Sequence, residues 1–234
     1  ASGVMHPLLA ESVTQFQAQA YNELLPSQGP VKTQVIGMSN AETEQQAARV
    51  QEFMNYQLMQ VMKEYDPETD QMLFYLPLSG SAFRKVYYDQ NLGRAVSKFI
   101  PSEDLIVPYA ATDLHSATRI THVIDMSMND IKKLQQVGFY RDVDISTGNM
   151  MADDVDDVQS EIDELQGVSP SYDDDDTCRV HEVHTELDLE GYEDLDAQGE
   201  ETGIKLPYII TIGNDKVLSI RRNYKETDQL KQRT

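Results

Sequence analysis

The distribution of charge along the chain constrains its fold more than any other feature of the sequence. Residues 141–200 contain 21 Asp and Glu against two Arg, whereas all other residues together carry 19 acidic and 17 basic side chains. The chain is therefore a nearly neutral body with one strongly acidic insert. Such an insert repels phosphate backbones, because gripping DNA requires Lys and Arg to displace counterions. We interpret it as a solvated loop region or as a lining along which DNA slides without sticking.

Composition places the 234-residue chain among globular proteins. Hydrophobic residues make up 40% and charged residues 25%, which is typical of domains that bury a core. No apolar run approaches the roughly 20 residues that a membrane-spanning helix needs, so we expect no membrane association. The single cysteine, Cys178, has no partner for an internal disulfide, which is typical of a protein that is cytosolic or assembled inside a cell.

Helical periodicity dominates the first third of the chain. Apolar residues at three- and four-residue spacing predict a helix over residues 7–25. A short strand is predicted over residues 31–36. The capping-box spacing of Ser39 and Glu42 then predicts a second helix that ends near Tyr65. The apolar stripe of this second helix contains Ala47, Val50, Met54, Leu58 and Val61.

A third helix and a strand-rich block follow. Asp66 and Pro67 restart a helix that Pro77 and Gly80 break. Residues 81–88 and 94–100 flank a loop with turn chemistry and predict a β-hairpin. Ser127 with Asp130 opens a short helix, whose apolar face would contain Ile131, Leu134 and Val137. Further strands are predicted over residues 105–109, 117–125, 177–189, 204–212 and 216–222, and a helix with an acidic first turn over residues 153–165.

These elements predict an α+β fold, with helices packed on an antiparallel, hairpin-rich sheet. We predict a helical and β-hairpin core over residues 1–142 and an acidic insert with a short helix and strand over residues 143–203. Residues 204–234 would form a β-hairpin and a polar tail.

One cluster of metal-ligand residue types lies at Cys178, His181, Glu182 and His184. Residues three apart on a strand point to opposite faces, so the two imidazoles would not converge. A helical zinc-protease motif needs two residues between Glu and the second His, and this sequence has one. We therefore interpret the histidines as half-exposed strand residues.

Four consecutive aspartates, Asp173, Asp174, Asp175 and Asp176, are the remaining metal candidates. Calcium loops place oxygen ligands at alternate positions around a glycine bend, and this run has no glycine. A solvated loop is the interpretation we favour, and a weak, nonspecific divalent-cation site is the alternative.

The residues indicate no catalytic constellation. The sequence contains neither a phosphate-binding glycine loop nor the Gly-x-Ser-x-Gly turn of serine hydrolases, so we expect no enzyme activity and no cofactor. The basic pairs Arg84 with Lys85 and Arg221 with Arg222 are interpreted as surface or subunit-contact residues. Residues that contact nucleic acid cannot be named.

Several stretches resemble the portal proteins of tailed bacteriophages. Two adjacent ones carry most of the resemblance: residues 74–89 read FYLPLSGSAFRKVYYD, and residues 93–109 read GRAVSKFIPSEDLIVPY. The family pattern is a helix that ends in a small-residue turn, then a hairpin, then a turn into a short strand. The resemblance extends to ATRITH (117–122), DIKKL (130–134) and GFYRD (138–142), and more loosely to LPY (206–208) and LSIRRN (218–223).

This resemblance implies a structural component of a homo-oligomeric ring, typically dodecameric, at one capsid vertex of the virion. Such rings assemble in the host cytoplasm, pass DNA during packaging and ejection, and bind capsid protein, the terminase motor and tail adaptor proteins. The chain would be the wing region, and the polar tail would lead toward a stem that is missing here. We expect ring contacts to use the helices around residues 40–65. The alternatives are an acidic module that binds divalent cations or partners without catalysis, and an unrecognised hydrolase.

Overall fold

The computed structural model describes residues 7–89, 92–145, 177–195 and 198–224. It confirms the α+β class, with helices and antiparallel sheets. The chain divides into two compact units, residues 1–103 and 104–234. This boundary lies inside the predicted 1–142 core. One five-stranded sheet joins strands on both sides of the predicted insert, and a strand from the insert lies in its centre.

Three helices form most of the first unit. They are α1 (Leu8–Leu24), α2 (Ala41–Tyr56) and α3 (Tyr65–Ser79), and a π-helical turn (Gln57–Val61) continues α2. Helices α1 and α3 are joined by two polar contacts. The Tyr21 hydroxyl donates to Asp66 at 2.5 Å, and the Gln17 amide donates to Asp70 at 2.7 Å.

Two predicted helix boundaries in this unit are corrected. The capping box of α2 is formed by Asn40 and Thr43, one residue later than predicted, with each side chain bonded to the backbone of the other residue. Helix α3 continues through Pro77 to Gly80, which has φ +77°. Proline lacks an N–H and removes one hydrogen bond from the last turn, and glycine relieves the left-handed backbone that ends the helix.

The predicted strand over residues 31–36 is wrong. No strand of the described residues pairs with this segment. Side chains of α2 form hydrogen bonds with the backbone of Val31 and Thr33 instead. Asn55 accepts from the Val31 N–H at 2.9 Å and donates to the Val31 carbonyl at 3.1 Å, and Gln51 accepts from the Thr33 N–H at 3.1 Å. The partner groups of this segment are therefore amide side chains of α2.

The predicted hairpin is confirmed as strands β1 (Ala82–Asp89) and β2 (Arg94–Pro101), which pair antiparallel from Ala82 with Pro101 to Asp89 with Arg94. Helix α3 packs against α1 and against the hairpin, where it contacts β2 more than β1. Val96 and Ile100 of β2 are buried, and the Phe99 ring lies 5.6 Å from the ring of Tyr75 on α3.

The second unit is built on a five-stranded antiparallel sheet in sequential order. The predicted strand over residues 105–109 is shorter than expected, because only two of its residues pair with the next strand. The confirmed hairpin at the end of the sheet turns through Asn214 and Asp215, both at positive φ, as a tight two-residue turn requires. The strands are β3 (Leu105–Ile106), β4 (Arg119–Ser127), β5 (Thr177–Leu187), β6 (Leu206–Gly213) and β7 (Lys216–Arg222).

Helix α4 (Met128–Gln136) covers one face of this sheet. Ser127 caps it as predicted, by accepting from the Asp130 N–H at 3.1 Å. The predicted apolar face is only partly buried, because Ile131 is fully covered whereas Val137 is 72% exposed. The core of the unit contains Ile131, Tyr140, Ile145, Cys178, Val180 and Leu218. The helix predicted over residues 153–165 lies outside the described residues.

Candidate assembly surface

Helix α2 has one stripe half-buried by polar contacts, and it leaves an apolar patch beside that stripe exposed. The half-buried residues Thr43, Ala47, Gln51 and Asn55 recur every four positions, so they form one stripe along the helix. The extended segment over residues 31–36 lies on this stripe, and the Thr33 hydroxyl donates to the Ala47 carbonyl at 3.0 Å. The covering contacts are therefore hydrogen bonds to the helix and its amide side chains.

The apolar patch of α2, defined as Val50, Phe53 and Met54, is exposed. These residues have i, i+3 and i+4 spacing and adjoin each other on the helix surface. Their exposed fractions are 54%, 59% and 41%, and α2 has no buried residue along its length. A core-facing helix shows the opposite arrangement, with its apolar stripe inward. Val50 and Met54 belong to the apolar stripe that their spacing predicted, and both are exposed.

The segment before α2 also exposes large apolar side chains. Ile36 and Met38 are 96% and 93% exposed. Single exposed apolar residues are common on folded proteins, but contiguous apolar patches mark interaction surfaces. The apolar patch of α2 is therefore the candidate surface of the first unit, and Ile36 and Met38 are further exposed apolar residues of that unit.

The outer edge of β2 is satisfied by side chains. The Phe99 N–H donates to the Glu68 carboxylate on α3 at 2.7 Å, and the Ser97 N–H donates to Glu64. The Arg94 guanidinium donates to Glu64 at 2.6 Å and to the Ala95 carbonyl at 3.3 Å. Hydrogen bonding from Arg94 holds the pKa of the Glu64 carboxyl below its ordinary value. An edge covered in this way cannot pair with another strand.

Strand β5 separates the candidate metal ligands. Cys178 and His184 lie on one face of the strand and His181 on the other, since side chains alternate along it. Cys178 and His184 are six residues apart, about 20 Å along a strand. His184 binds Glu182 through Nε2 and Oε1 at 2.9 Å. Cys178 is a core residue, and burial raises the pKa of its thiol.

The remaining metal candidates, Asp173, Asp174, Asp175 and Asp176, lie outside the described residues. Across residues 7–89, 92–145, 177–195 and 198–224, no three His, Cys, Asp or Glu side chains form a group that could hold a metal ion.

The basic pairs are half-buried, and their arginines contact side chains of their own units. The Arg84 guanidinium donates to the Thr69 hydroxyl at 2.6 Å and lies 4.7 Å from the Tyr65 ring centroid. Arg221 lies 4.4 Å from the centroid of Phe139. Such stacking uses the weakly hydrated guanidinium plane and holds strands to neighbouring elements.

Comparison with models of known protein families gave no match, and comparison with curated protein sequences gave none either. Within the described residues, no helix combines the length and the apolar character needed to cross a membrane.

Proposed function

We propose that this chain is the wing region of a bacteriophage portal, a structural ring component whose helix α2 contacts neighbouring subunits. The observation that carries the proposal is the apolar patch of α2, which stays exposed while a neighbouring stripe of the same helix is half-buried by polar contacts. The patch lies within residues 40–65, where the portal resemblance led us to expect ring contacts.

The energetics of burial support a contact surface at this patch. Covering a large apolar side chain contributes about 1.5–3 kcal/mol relative to leaving it in water. Phe53 is 59% exposed, and an aromatic ring is among the residue types that dominate protein interfaces. A second subunit that covers the patch therefore adds a favourable free energy of apolar burial, which a single copy lacks.

In this proposal the ring stands at one capsid vertex of the virion and is assembled in the host cytoplasm. DNA passes through it, and capsid protein, the terminase motor and tail adaptors bind it. The acidic insert, with 21 acidic and two basic residues over 141–200, gives DNA a surface that it does not grip. The cation-binding alternative depends on residues 173–176 and gains no support from the described residues.

Electron micrographs of the complete protein that carries this chain test the proposal. The expected result is closed rings with a central channel, formed without added nucleotide or metal. Particles that stay monomeric at every concentration tested would exclude a ring component. Adding salt alone should affect the rings little, since ions screen an apolar contact only weakly.

A further inference from the structure

Strand β7 forms one edge of the five-stranded sheet, and it pairs on its inner side with β6. Just beyond it, the Asn223 N–H donates to the Pro207 carbonyl at 2.9 Å, so these two residues continue the ladder as a hydrogen-bonded pair. Hydrogen-bonded and non-hydrogen-bonded pairs alternate along an antiparallel ladder. The backbone groups of Ile220 and Arg222 therefore point away from β6, toward the outer edge.

The described residues cover this outer edge at Leu218 and leave it open beyond. The Arg141 N–H donates to the outward Leu218 carbonyl at 2.7 Å. Within the described part of the chain, no hydrogen bond reaches the outward backbone groups of Ile220 or Arg222, and Ile220 is 37% exposed. Unpaired N–H and C=O groups on a strand edge are a template for an added strand. Residues 220–222 are the part of the edge that offers this template.

Two arginines without counter-charges lie on this open part of the edge. Arg221 and Arg222 project from opposite faces of the sheet, because side chains alternate along a strand. Their guanidinium groups lie 4.4 Å from the ring centroid of Phe139 and 5.9 Å from that of Tyr208, respectively. Among the described residues, no carboxylate forms an ion pair with either arginine, and the Nε atoms of both are buried without a hydrogen-bond partner. The edge therefore has positive charge on both faces that no described group neutralises.

We propose that residues 220–222 bind an extended segment of a partner protein that carries two consecutive acidic residues. An added strand places its side chains directly opposite those of β7, on alternating faces. Two adjacent carboxylates consequently meet Arg221 on one face and Arg222 on the other, where each can accept charge-assisted hydrogen bonds. In an antiparallel addition, the residue after the acidic pair lies opposite Ile220 and should be apolar. This contact belongs to the second unit, residues 104–234, and does not depend on the ring contact proposed above.

The placement of the arginines favours this partner over two others. A second β7 edge would bring arginines opposite arginines, and like charges directly opposite each other destabilise a strand pair. A nucleic-acid backbone offers phosphates to arginine, but it has no row of N–H and C=O groups to pair with Ile220 and Arg222. An acidic peptide satisfies both the backbone groups and the charges.

Two synthetic peptides of identical composition and charge test the proposal. In Thr-Thr-Glu-Glu-Val-Thr-Thr the carboxylates are adjacent and lie on opposite faces of an extended chain, whereas in Thr-Thr-Glu-Val-Glu-Thr-Thr both lie on one face. Titration of the chain with each peptide, followed by nuclear magnetic resonance, gives the two dissociation constants. The first peptide should bind at least about tenfold more tightly than the second. Equal affinities, or no binding of the first peptide up to about 1 mM, would overturn the proposal.

The same complex shows whether the bound peptide is an added strand. If Ile220 and Arg222 bond to the peptide, Arg221 and its opposite peptide residue form the intervening non-hydrogen-bonded pair, with Cα atoms about 4.5 Å apart. An intermolecular nuclear Overhauser contact between the Hα atoms of this pair is the expected result. Contacts confined to side chains, with none between the two backbones, would contradict strand addition.

Substitution of the arginines supplies matched variants. Arg221→Gln and Arg222→Gln each remove one charge at the edge, and Arg119→Gln removes the same charge at an exposed position of β4 in the same sheet. The first two should weaken binding of the adjacent-acid peptide at least about tenfold, and the control less than about threefold. Equal weakening by all three would indicate unspecific attraction and overturn the proposal. So would a DNA duplex that binds through Arg221 and Arg222 while the peptide does not bind.

Discussion

Gly29 is the residue whose backbone most directly controls the segment on α2. It has φ +96°, and a Cβ atom there would lie 2.4 Å from Cγ of Asn55. Asn55 holds both the N–H and the carbonyl of Val31. A larger residue at position 29 therefore displaces the amide that anchors the extended segment.

Gly29→Ala should accordingly lower the free energy of unfolding by about 1–2 kcal/mol more than Gly37→Ala. Gly37 is the matched control, since it has φ +100° and no atom within 4 Å of a Cβ atom there. Both variants share the cost of a positive φ, roughly 1 kcal/mol. Urea denaturation measures the difference, and equal destabilisation by the two variants would refute the role of Asn55.

Glu64 should make the stability of the first unit depend on pH. Hydrogen bonding from Arg94 lowers the pKa of Glu64 in the folded state. The side chain of Glu64 is 18% exposed and that of Arg94 is 24% exposed. A carboxyl group whose pKa is lower in the folded than in the unfolded state stabilises the fold at pH values above its unfolded pKa, which is about 4.3. That contribution is lost as the pH falls through the lower folded value.

Glu64→Gln should lower the free energy of unfolding by about 1–2 kcal/mol at pH 7. The difference from wild type should shrink as the pH falls through the lowered folded-state pKa of Glu64, because the wild-type carboxylate then becomes protonated. Glu52→Gln, an exposed substitution on α2, is the control and should change stability by less than about 0.5 kcal/mol. A Glu64→Gln deficit that is equal at pH 7 and pH 3 would contradict this assignment. Denaturant titration at both pH values provides the measurement.

At the scale of elements, Ser127 tests how much a cap contributes to α4. Its hydroxyl accepts from the Asp130 N–H at 3.1 Å and donates to the Asp130 carboxylate at 2.9 Å. Ser127→Ala should lower the free energy of unfolding by about 1 kcal/mol, and Ser127→Thr, which keeps the acceptor, by clearly less. Thermal and urea unfolding compare the two. Equal losses of unfolding free energy in the two variants would show that loss of the cap does not cause the destabilisation.

Local chemistry explains which elements the sequence predicted. The hairpins of β1 with β2 and of β6 with β7 have their turns in the intervening residues, and strand alternation fixes their register. The cap at Ser127 also depends on residues three positions apart. Each of these signals lies within a few residues of the feature that it specifies.

The prediction failed where the partner is distant in sequence. Residues 31–36 alternate like a strand, but the groups that bind them belong to Asn55 and Gln51, about 20 residues later. The stripe containing Val50 and Met54 was recognised from its spacing, but periodicity identifies an apolar face without showing what covers it. The covered edge of β2 likewise depends on Glu64, which directly precedes α3, and on Glu68 within it, and neither residue belongs to a sequence motif.

At the scale of the whole molecule, the proposed function depends on a surface that a single copy leaves exposed. This surface, the apolar patch of α2, lies in the first unit, residues 1–103. The exposed apolar residues there have no covering element among the described residues. We therefore expect substitutions in the patch to change assembly strongly and the stability of the single copy little.

The most direct test of this claim is the particle mass of the complete protein carrying Phe53→Asp, measured by light scattering over a concentration series. The control is Gln45→Asp, which places the same charge on an exposed position of α2 outside the patch. The account predicts that wild type and Gln45→Asp have the mass of a ring. Phe53→Asp should stay at the mass of one subunit until the concentration is raised at least about 100-fold. Ring formation by Phe53→Asp at the wild-type concentration would contradict it.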